Sequence, residues 1–406
     1  MTDISALFNE DFWRDPYPTY RELREQAPVR PVVTPDGMRV WLVTRYADVR
    51  SGLNDPRLSK DLTTAQHLYE RHTVVGGMAV RQVNASVAQH MLSTDPPAHT
   101  RLRTLVGKAF TARRIAALQP RIEHISASLL DGLDALGDAA EVDIVTDYAF
   151  PLAITVICEL LGLPETDQDR FQRWTRDYND SGAPEKVNAA SHSIAAYISG
   201  LIDDKRQRPG DDLLSALIDA TDAGDRLTAD ELVAMVFLLL SAGHETTVNL
   251  VSGGMLTLVR HPDRLALLRA DATLLPAAIE ELLRYDSPVN IATLRFTTAA
   301  IALGAAEIPE GEFVLFSLAA ANRDPDRFES PDQFDAMRET NAHLSFGHGI
   351  HYCLGAPLAR LEAETAFRHW FARYRTIELA DPEEVLDYRH SLLMRGPISL
   401  RLRVAG

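Results

Sequence analysis

Fifteen residues near the C-terminus, Phe346 to Arg360 (FGHGIHYCLGAPLAR), constrain this chain more than any other stretch. Cys353 sits among Gly347, Gly349 and Gly355, a glycine density that lets the backbone take positive φ and come close to a neighbour. Ala356 onward reads as a helix, with Pro357 tolerated in its first turn. Sulfur near a helix N-terminus lies among amides and the positive end of a dipole, which favours thiolate over thiol. On residues alone several roles stay open for Cys353. It can be a small packing residue, a zinc ligand with His343, His348 and His351 at a spacing that fits no common zinc pattern, or a nucleophile that needs a base. So many glycine and proline breaks make a poor core segment, which favours an anionic sulfur ligand.

A second stretch limits the fold. Thr228-Ala229-Asp230-Glu231 is a capping box followed by the apolar run LVAMVFLLLSAG, and the helical pattern continues to about Arg260, before His261-Pro262. The run is too short to span a bilayer and is broken by His244, Glu245, Thr246 and Thr247, so it reads as a buried core helix. A polar patch at its midpoint is costly unless satisfied or functional; a hydroxyl bonded back to an i−4 carbonyl, bending the helix, is the plainer account.

Composition excludes more than it selects. At 46% hydrophobic and 24% charged, the 406 residues make an ordinary globular protein, and no linker or repeat divides them. A net charge of −16 argues against nucleic acid and anionic membrane as partners. The N-terminus lacks the basic and apolar runs of a signal peptide or anchor. The two cysteines, Cys158 and Cys353, form no disulfide framework and suit a reducing cytoplasm. Cys158, inside AITVICELLGL, reads as packing.

Along the chain, Pro18–Gln26 is expected to be helical and residues 40–44 a strand, while 61–92 reads as a surface loop. Asp95-Pro96-Pro97 reads as an Asp cap with prolines in the first turn of a helix, on which His99 and Arg103, four apart, share a face. Two such donors suit an anion, although an exposed His/Arg face is the plainer reading. Lys108, Arg113 and Arg114 follow as a basic cluster. Turns are expected at 162–164 and 180–184. Glu281 and Arg284 form an i,i+3 pair, and residues 291–296 read as a strand.

The pattern Phe-Gly-x-Gly-x-His-x-Cys-x-Gly resembles the haem-binding loop of the cytochrome P-450 superfamily, and the likeness runs over the whole chain. It implies a mainly α fold with small β-sheets: a single-domain triangular prism over 1–406, with haem between the long helix (228–260) and the cysteine loop (346–360). It makes Cys353 the axial thiolate on the iron of haem b, with Phe346, Gly347 and Gly355 shaping the loop. His99, Arg103, Arg295 and His351 match the propionate-binding positions. Ala242-Gly243-His244-Glu245-Thr246 resembles the oxygen-binding motif, in which Glu245 and Thr246 relay protons. Glu281, Arg284 and Arg338 match a buried structural network. Residues 61–92 and 171–190 become substrate lids, and Val289, Ile291, Ala292, Leu393, Met394, Leu239 and Thr247 edge a cavity for a bulky lipophilic substrate. Lys108, Arg113 and Arg114 fall where an acidic ferredoxin docks, fed by an NAD(P)H-dependent ferredoxin reductase. The implied activity is a soluble cytoplasmic O2-dependent monooxygenase, nearest to bacterial members tailoring macrolides and polyketides and to one hydroxylating vitamin D3. A haem-thiolate sensor without turnover is the other reading, against which the Glu245–Thr246 pair argues.

Overall fold

The computed structural model describes residues 7–73, 84–137, 140–164, 167–179, 184–222, 224–339 and 342–406. Helices dominate and the sheets are small, in agreement with the mainly α expectation. The chain divides into two compact units, residues 1–76, 123–151 and 246–406 forming one and residues 77–122 and 152–245 the other.

The first unit is built on a five-stranded sheet in the order Val29–Val33, Arg39–Val43, Phe313–Phe316, Arg295–Thr297, Leu58–Ser59. The first two strands form an antiparallel hairpin, and Phe313–Phe316 joins Arg39–Val43 in parallel. Side chains of a strand alternate between faces. Phe313 and Leu315 accordingly enter one core cluster with Val40, Leu42, Phe12 and Tyr20, while Val314 and Phe316 enter another with Val43, Val49 and Leu58. The sheet is thus buried on both faces, which explains why Phe313–Phe316 is apolar at every position. A second sheet, Thr376–Leu379, Arg401–Ala405 and Ala140–Asp143, is antiparallel throughout.

In the second unit, helices Gln168–Asn179 and Pro184–Gln207 pack together. Phe171, Trp174 and Tyr197 form a ring cluster with centroids 5.7–5.9 Å apart. Helix Ala98–Ala109 is tied to the start of the long helix by Arg101, which pairs with Glu231 and, at 3.2 Å, with Asp225.

The long helix spans Ala229–Val259. Its capping box is present in both directions, with Thr228 N donating to Glu231 Oε2 at 2.8 Å and Glu231 N to Thr228 Oγ1 at 3.2 Å. It is long and apolar enough to cross a membrane, but 67% of its most apolar window is buried within the protein, as the core-helix reading requires.

The helix Tyr17–Gln26 and the strand Arg39–Val43 fall where expected. Three expectations change. The helix after Asp95 begins at Ala98, with Pro97 at the cap position. Asp95 receives the His99 amide through its main-chain oxygen at 2.9 Å; two consecutive prolines push the first helical residue past the expected cap. The strand over 291–296 shortens to Arg295–Thr297, because Ile291 makes an isolated bridge to Ser317 instead of a ladder. The 61–92 loop holds a helix at Gln66–His72 and a short turn of helix at Ala85–Ala88. Residues 74–83 of that lid and 180–183 of the second turn lie outside the described residues.

Candidate functional site

The cysteine loop has the geometry its glycines suggest. Gly347 and Gly349 have φ of 73° and 74°, the left-handed region open to glycine. A Cβ on Gly349 would stand 2.8 Å from Asn54 Oδ1, and one on Gly355 3.9 Å from Cys353 Sγ. The Cys353 amide donates to the Phe346 carbonyl at 2.9 Å, closing the loop behind an exposed sulfur. Gly355 is the N-cap of the helix Ala356–Arg373, so Cys353 stands two residues before that cap. His351 lies half-buried in the turn Gly349–His351. Among the described residues no three His, Cys, Asp or Glu side chains converge as a metal-binding group, and His343 turns to Glu280 at 3.1 Å, against the zinc reading.

Two ion-pair networks stand behind this loop. Glu281 and Arg284, both 0% exposed, form a bidentate pair at 2.7 and 2.8 Å. Arg338 Nε and the Asp335 amide add bonds to Glu281 at 3.0 Å each. The spare Arg284 hydrogens reach the carbonyls of Asn322, Pro331 and Gln333. Sequence reasoning named these three charged residues but missed the neighbouring Glu280, which takes Arg360 at 2.6 and 2.8 Å as well as His343. Burial alone would raise the Glu280 carboxyl, yet Arg360 and His343 hold it down at about 2. The Arg360 guanidinium lies 4.5 Å from the centre of the Phe346 ring. The two ends of the fifteen-residue stretch are therefore clasped together and anchored to the helix Leu275–Tyr285.

The strip leading into Arg295 meets the late turn. The Asn290 amide donates to the Leu393 carbonyl at 2.8 Å, and Val289 bridges Met394. Val289, Ala292, Leu393 and Met394 are partly exposed, but Ile291, at 1%, belongs to the core beside the large sheet and not to a cavity edge. Arg295, 4% exposed, pairs in register with Val314.

The other unit carries His99, buried, and Arg103, half-buried, one turn apart on Ala98–Ala109. It also carries the first half of the long helix. That helix is buried from Leu232 to Leu240, including Leu239, and then opens. Ala242 is exposed and Gly243 and Glu245 are partly so, with Thr246 following before burial resumes at Thr247. His244 stays buried and bonds through Nδ1 to the Leu240 carbonyl at 2.8 Å, a side-chain claim on the helix ladder that favours local bending. A Cβ on Gly243 would come within 2.9 Å of Ile157 Cδ1 on the helix Phe150–Leu161, so any larger residue here must displace that side chain. Thr247, 2% exposed, faces the carboxyl of Glu362 on Ala356–Arg373 and is no cavity edge. Burial raises Glu362 to about 8. Sequence reasoning passed over Glu362, because nothing local marks a glutamate on an amphipathic helix as buried.

Arg113 is exposed, and Arg114 reaches Asp211 at 3.8 Å. With Lys108 and Thr111, Arg114 borders a cavity of about 310 Å³ that also holds Asp219. A larger hollow of about 450 Å³ beside the cysteine loop is bordered by Arg50, Arg327, His348, Tyr46 and Tyr352. It was not foreseen, since its two cations, Arg50 and Arg327, come from distant segments.

The donor set fits an iron porphyrin. The unit with the cysteine loop offers one exposed cysteine sulfur ahead of a helix, for a metal that accepts thiolate, with Arg295 and His351 as donors suited to carboxylates, and the other unit carries His99 and Arg103, donors of the same kind. Comparison with known proteins identifies the family. Residues 169–402 match the family model for cytochrome P450. The chain is 49% identical over 405 residues to cytochrome P450 107B1 of Saccharopolyspora erythraea, covering 99% of this chain and 98% of that one. It is 46% identical to the vitamin D(3) 25-hydroxylase of Pseudonocardia autotrophica, covering 97% and 95%. The structure of the Bacillus subtilis 168 bacillaene polyketide synthase cytochrome P450 PksS superposes with a TM-score of 0.89 at 36% identity, covering 98% of this chain and 99% of that one. The chain therefore belongs to the cytochrome P450 family and is a haem-thiolate monooxygenase.

Proposed function

We propose that this cytochrome P450 inserts one oxygen atom of O2 into a bulky lipophilic secondary metabolite, a macrolide or other polyketide, by hydroxylation or epoxidation. A sterol-like compound is the second substrate class, on the likeness to a vitamin D(3) hydroxylase. The observation that carries the reading is the opening in burial at Ala242–Thr246, where an acid and an alcohol follow the buried apolar run of the long helix.

Cys353 would ligate haem b; His99, Arg103, Arg295 and His351 would serve as donors to its propionates, and the group would supply oxygen activation and one-electron chemistry when bound. The Phe346–Arg360 clasp and the left-handed Gly347 and Gly349 fix where the Cys353 sulfur points. The carboxylate of Glu245 collects protons from water, and the Thr246 hydroxyl holds and passes them on. Gly243 keeps the helix close to Ile157 and leaves the Ala242–Glu245 turn open. Val289, Ala292, Leu393 and Met394 supply apolar wall that orients substrate and excludes water. Glu281, Arg284 and Arg338 support the loop and take no part in turnover. An acidic ferredoxin with its NAD(P)H-dependent reductase supplies electrons, docking on Lys108, Arg113 and Arg114; the Arg50–Arg327 hollow offers charge of the same sign. We place the protein in the cytoplasm, with residues 1–406 working as one domain.

The deciding test is the absorption spectrum of haem-loaded protein, reduced with dithionite and exposed to carbon monoxide. A strongly red-shifted Soret band that is lost in Cys353→Ala is expected. A histidine-type band in the unmodified protein would overturn the assignment of Cys353. For the proton route, Thr246→Ala should divert reducing equivalents to hydrogen peroxide, and tight coupling in that variant would refute it.

A further inference from the structure

The hollow of about 450 Å³ beside the cysteine loop lies wholly within the first unit and is assembled from three segments. Tyr46 and Arg50, four apart, share one face of the helix Tyr46–Leu53. Arg327 enters from the turns after Asp324, and Ala342, His348 and Tyr352 from the stretch that runs into the cysteine loop. The Tyr46 hydroxyl donates to the Ala342 carbonyl at 2.7 Å and ties two of these walls together. The Arg327 guanidinium lies 5.5 Å from the centre of the Tyr46 ring, within reach of a cation–π contact. Burial, and then the charge of Arg50, lower the His348 imidazole from its ordinary value, so Arg50 and His348 meet in the same space.

Charge for a docking protein does not by itself account for this arrangement. No carboxylate borders the hollow, and among the described residues neither Arg50 nor Arg327 forms an ion pair. Acidic side chains outnumber lysine and arginine by 57 to 41, so two guanidiniums without a carboxylate are the less expected outcome. The smaller cavity, by contrast, sets Asp219 beside Lys108 and Arg114. Like charges gathered in a concave space repel, and an anion entering it removes that cost. A docking protein covers a broad patch, whereas about 450 Å³ lies in the range that small ligands occupy. A phosphomonoester carries a charge of about −1.5 to −2 near pH 7 and three acceptor oxygens, which matches two guanidiniums better than a single carboxylate does. Tyr46 and Tyr352 add aromatic rings against which a planar group can stack.

We propose that this hollow binds a small phosphomonoester carried on a planar ring, of nucleoside monophosphate size, with Arg50 and Arg327 holding the phosphate and Tyr46 and Tyr352 the ring. The His348 imidazole, beside Arg50, adds one N–H donor. Because Gly347, His348 and Tyr352 supply one wall, the ligand rests against the loop that presents Cys353. The site goes beyond the monooxygenase reading and does not depend on it.

The test is calorimetric titration of haem-loaded protein at low ionic strength, with adenosine monophosphate, inorganic phosphate and adenosine as probes. The monophosphate should bind at one site, inorganic phosphate more weakly by at least ~10-fold for want of a stacking ring, and adenosine not measurably. Arg50→Gln and Arg327→Gln should each weaken the monophosphate by on the order of 10-fold, as expected for loss of a charge-assisted bond. Raised salt should weaken it in the unmodified protein too. Both arginines are exposed, so neither change leaves a buried group unmatched. Arg113→Gln, at an exposed cation of the other unit, should leave the affinity as it is. No saturable heat with the monophosphate overturns the proposal, as does equal weakening by Arg113→Gln, which would mean diffuse attraction to positive charge. Inorganic phosphate binding as tightly as the monophosphate overturns the ligand class. An acidic ferredoxin that loses affinity in Arg50→Gln and Arg327→Gln, with no heat from the monophosphate, marks the hollow as a protein-docking surface instead. The thiolate spectrum with carbon monoxide, read on the same samples, reports separately on Cys353, so failure of that reading and failure of this one are distinguishable.

Discussion

Replacing Glu281 with glutamine tests the support behind the cysteine loop with least change of shape. Glu281 accepts four bonds, from Arg284 Nε and Nη2, from Arg338 Nε and from the Asp335 amide, at 2.7–3.0 Å. Glutamine keeps one oxygen and turns an amide NH2 toward groups that can only donate, so two of these bonds fail. At ~1.5–3 kcal/mol for each bond to a charged group, the loss is ~3–6 kcal/mol. The cost of breaking a buried ion pair, ~3–5 kcal/mol, gives the same range independently. Both Glu281 and Arg284 are 0% exposed, so solvent cannot compensate, and a loss of ~4 kcal/mol is roughly a thousandfold in the folding equilibrium. Urea unfolding followed by tryptophan emission measures it. Trp13, Trp41 and Trp370 belong to the unit that holds Glu281, whereas Trp174 does not; a Trp174→Phe background therefore reports on the affected unit. Arg338 is 12% exposed, and adding Arg338→Met should recover part of the loss by removing one uncompensated cation. A Glu281→Gln protein within about 0.5 kcal/mol of the parent would refute the idea that this charge holds the region together.

Other predictions concern neighbouring features. Glu280 is held at about 2 against an ordinary value of 4.5, so its contribution is fully present above pH 4.5 and lost as pH falls from there toward 2. The amount is on the order of 3 kcal/mol, and Glu280→Gln should flatten the stability profile over that window; identical acid profiles would contradict it. Gly243→Ala drives a methyl against Ile157 and should cost ~1–3 kcal/mol in thermal unfolding. Adding Ile157→Val, which removes the clashing Cδ1, should restore most of that loss; no restoration would mean that the glycine serves something other than this approach. Arg50→Glu with Arg327→Glu should slow stopped-flow reduction by an acidic ferredoxin at low salt, within the ~10–10³ range of electrostatic steering. Equal rates at low and high ionic strength would exclude that surface.

Much of the site was legible because its signals are local. A cysteine among glycines at fixed spacing, a Thr–Glu capping box and a polar break in an apolar helix each depend on backbone conformation within a few residues, and local chemistry dictates that conformation. The His99/Arg103 spacing and the Glu281/Arg284 pair were legible for the same reason, since helix geometry alone places such residues on one face. Where local signals competed they misled. An aspartate before two prolines looked like a side-chain cap, but the helix starts later. An apolar run at 291–296 looked like a strand, but a ladder needs a partner, and only Arg295–Thr297 has one.

The sequence by itself determined the glycine-rich cysteine loop, the long core helix and its acid–alcohol interruption, and with them the family. Tertiary structure alone decided what pairs across long separations. Glu280 and Glu281 are adjacent and chemically identical, yet one clasps Arg360 and the other Arg284 and Arg338. Glu362 could have been a solvated helix residue, but its face is turned to Thr247 and buried. Ile291 lies in the core while its neighbour Ala292 does not. A side chain's local geometry is set by its neighbours in sequence, whereas its burial, charge state and partners depend on which distant surface packs against it.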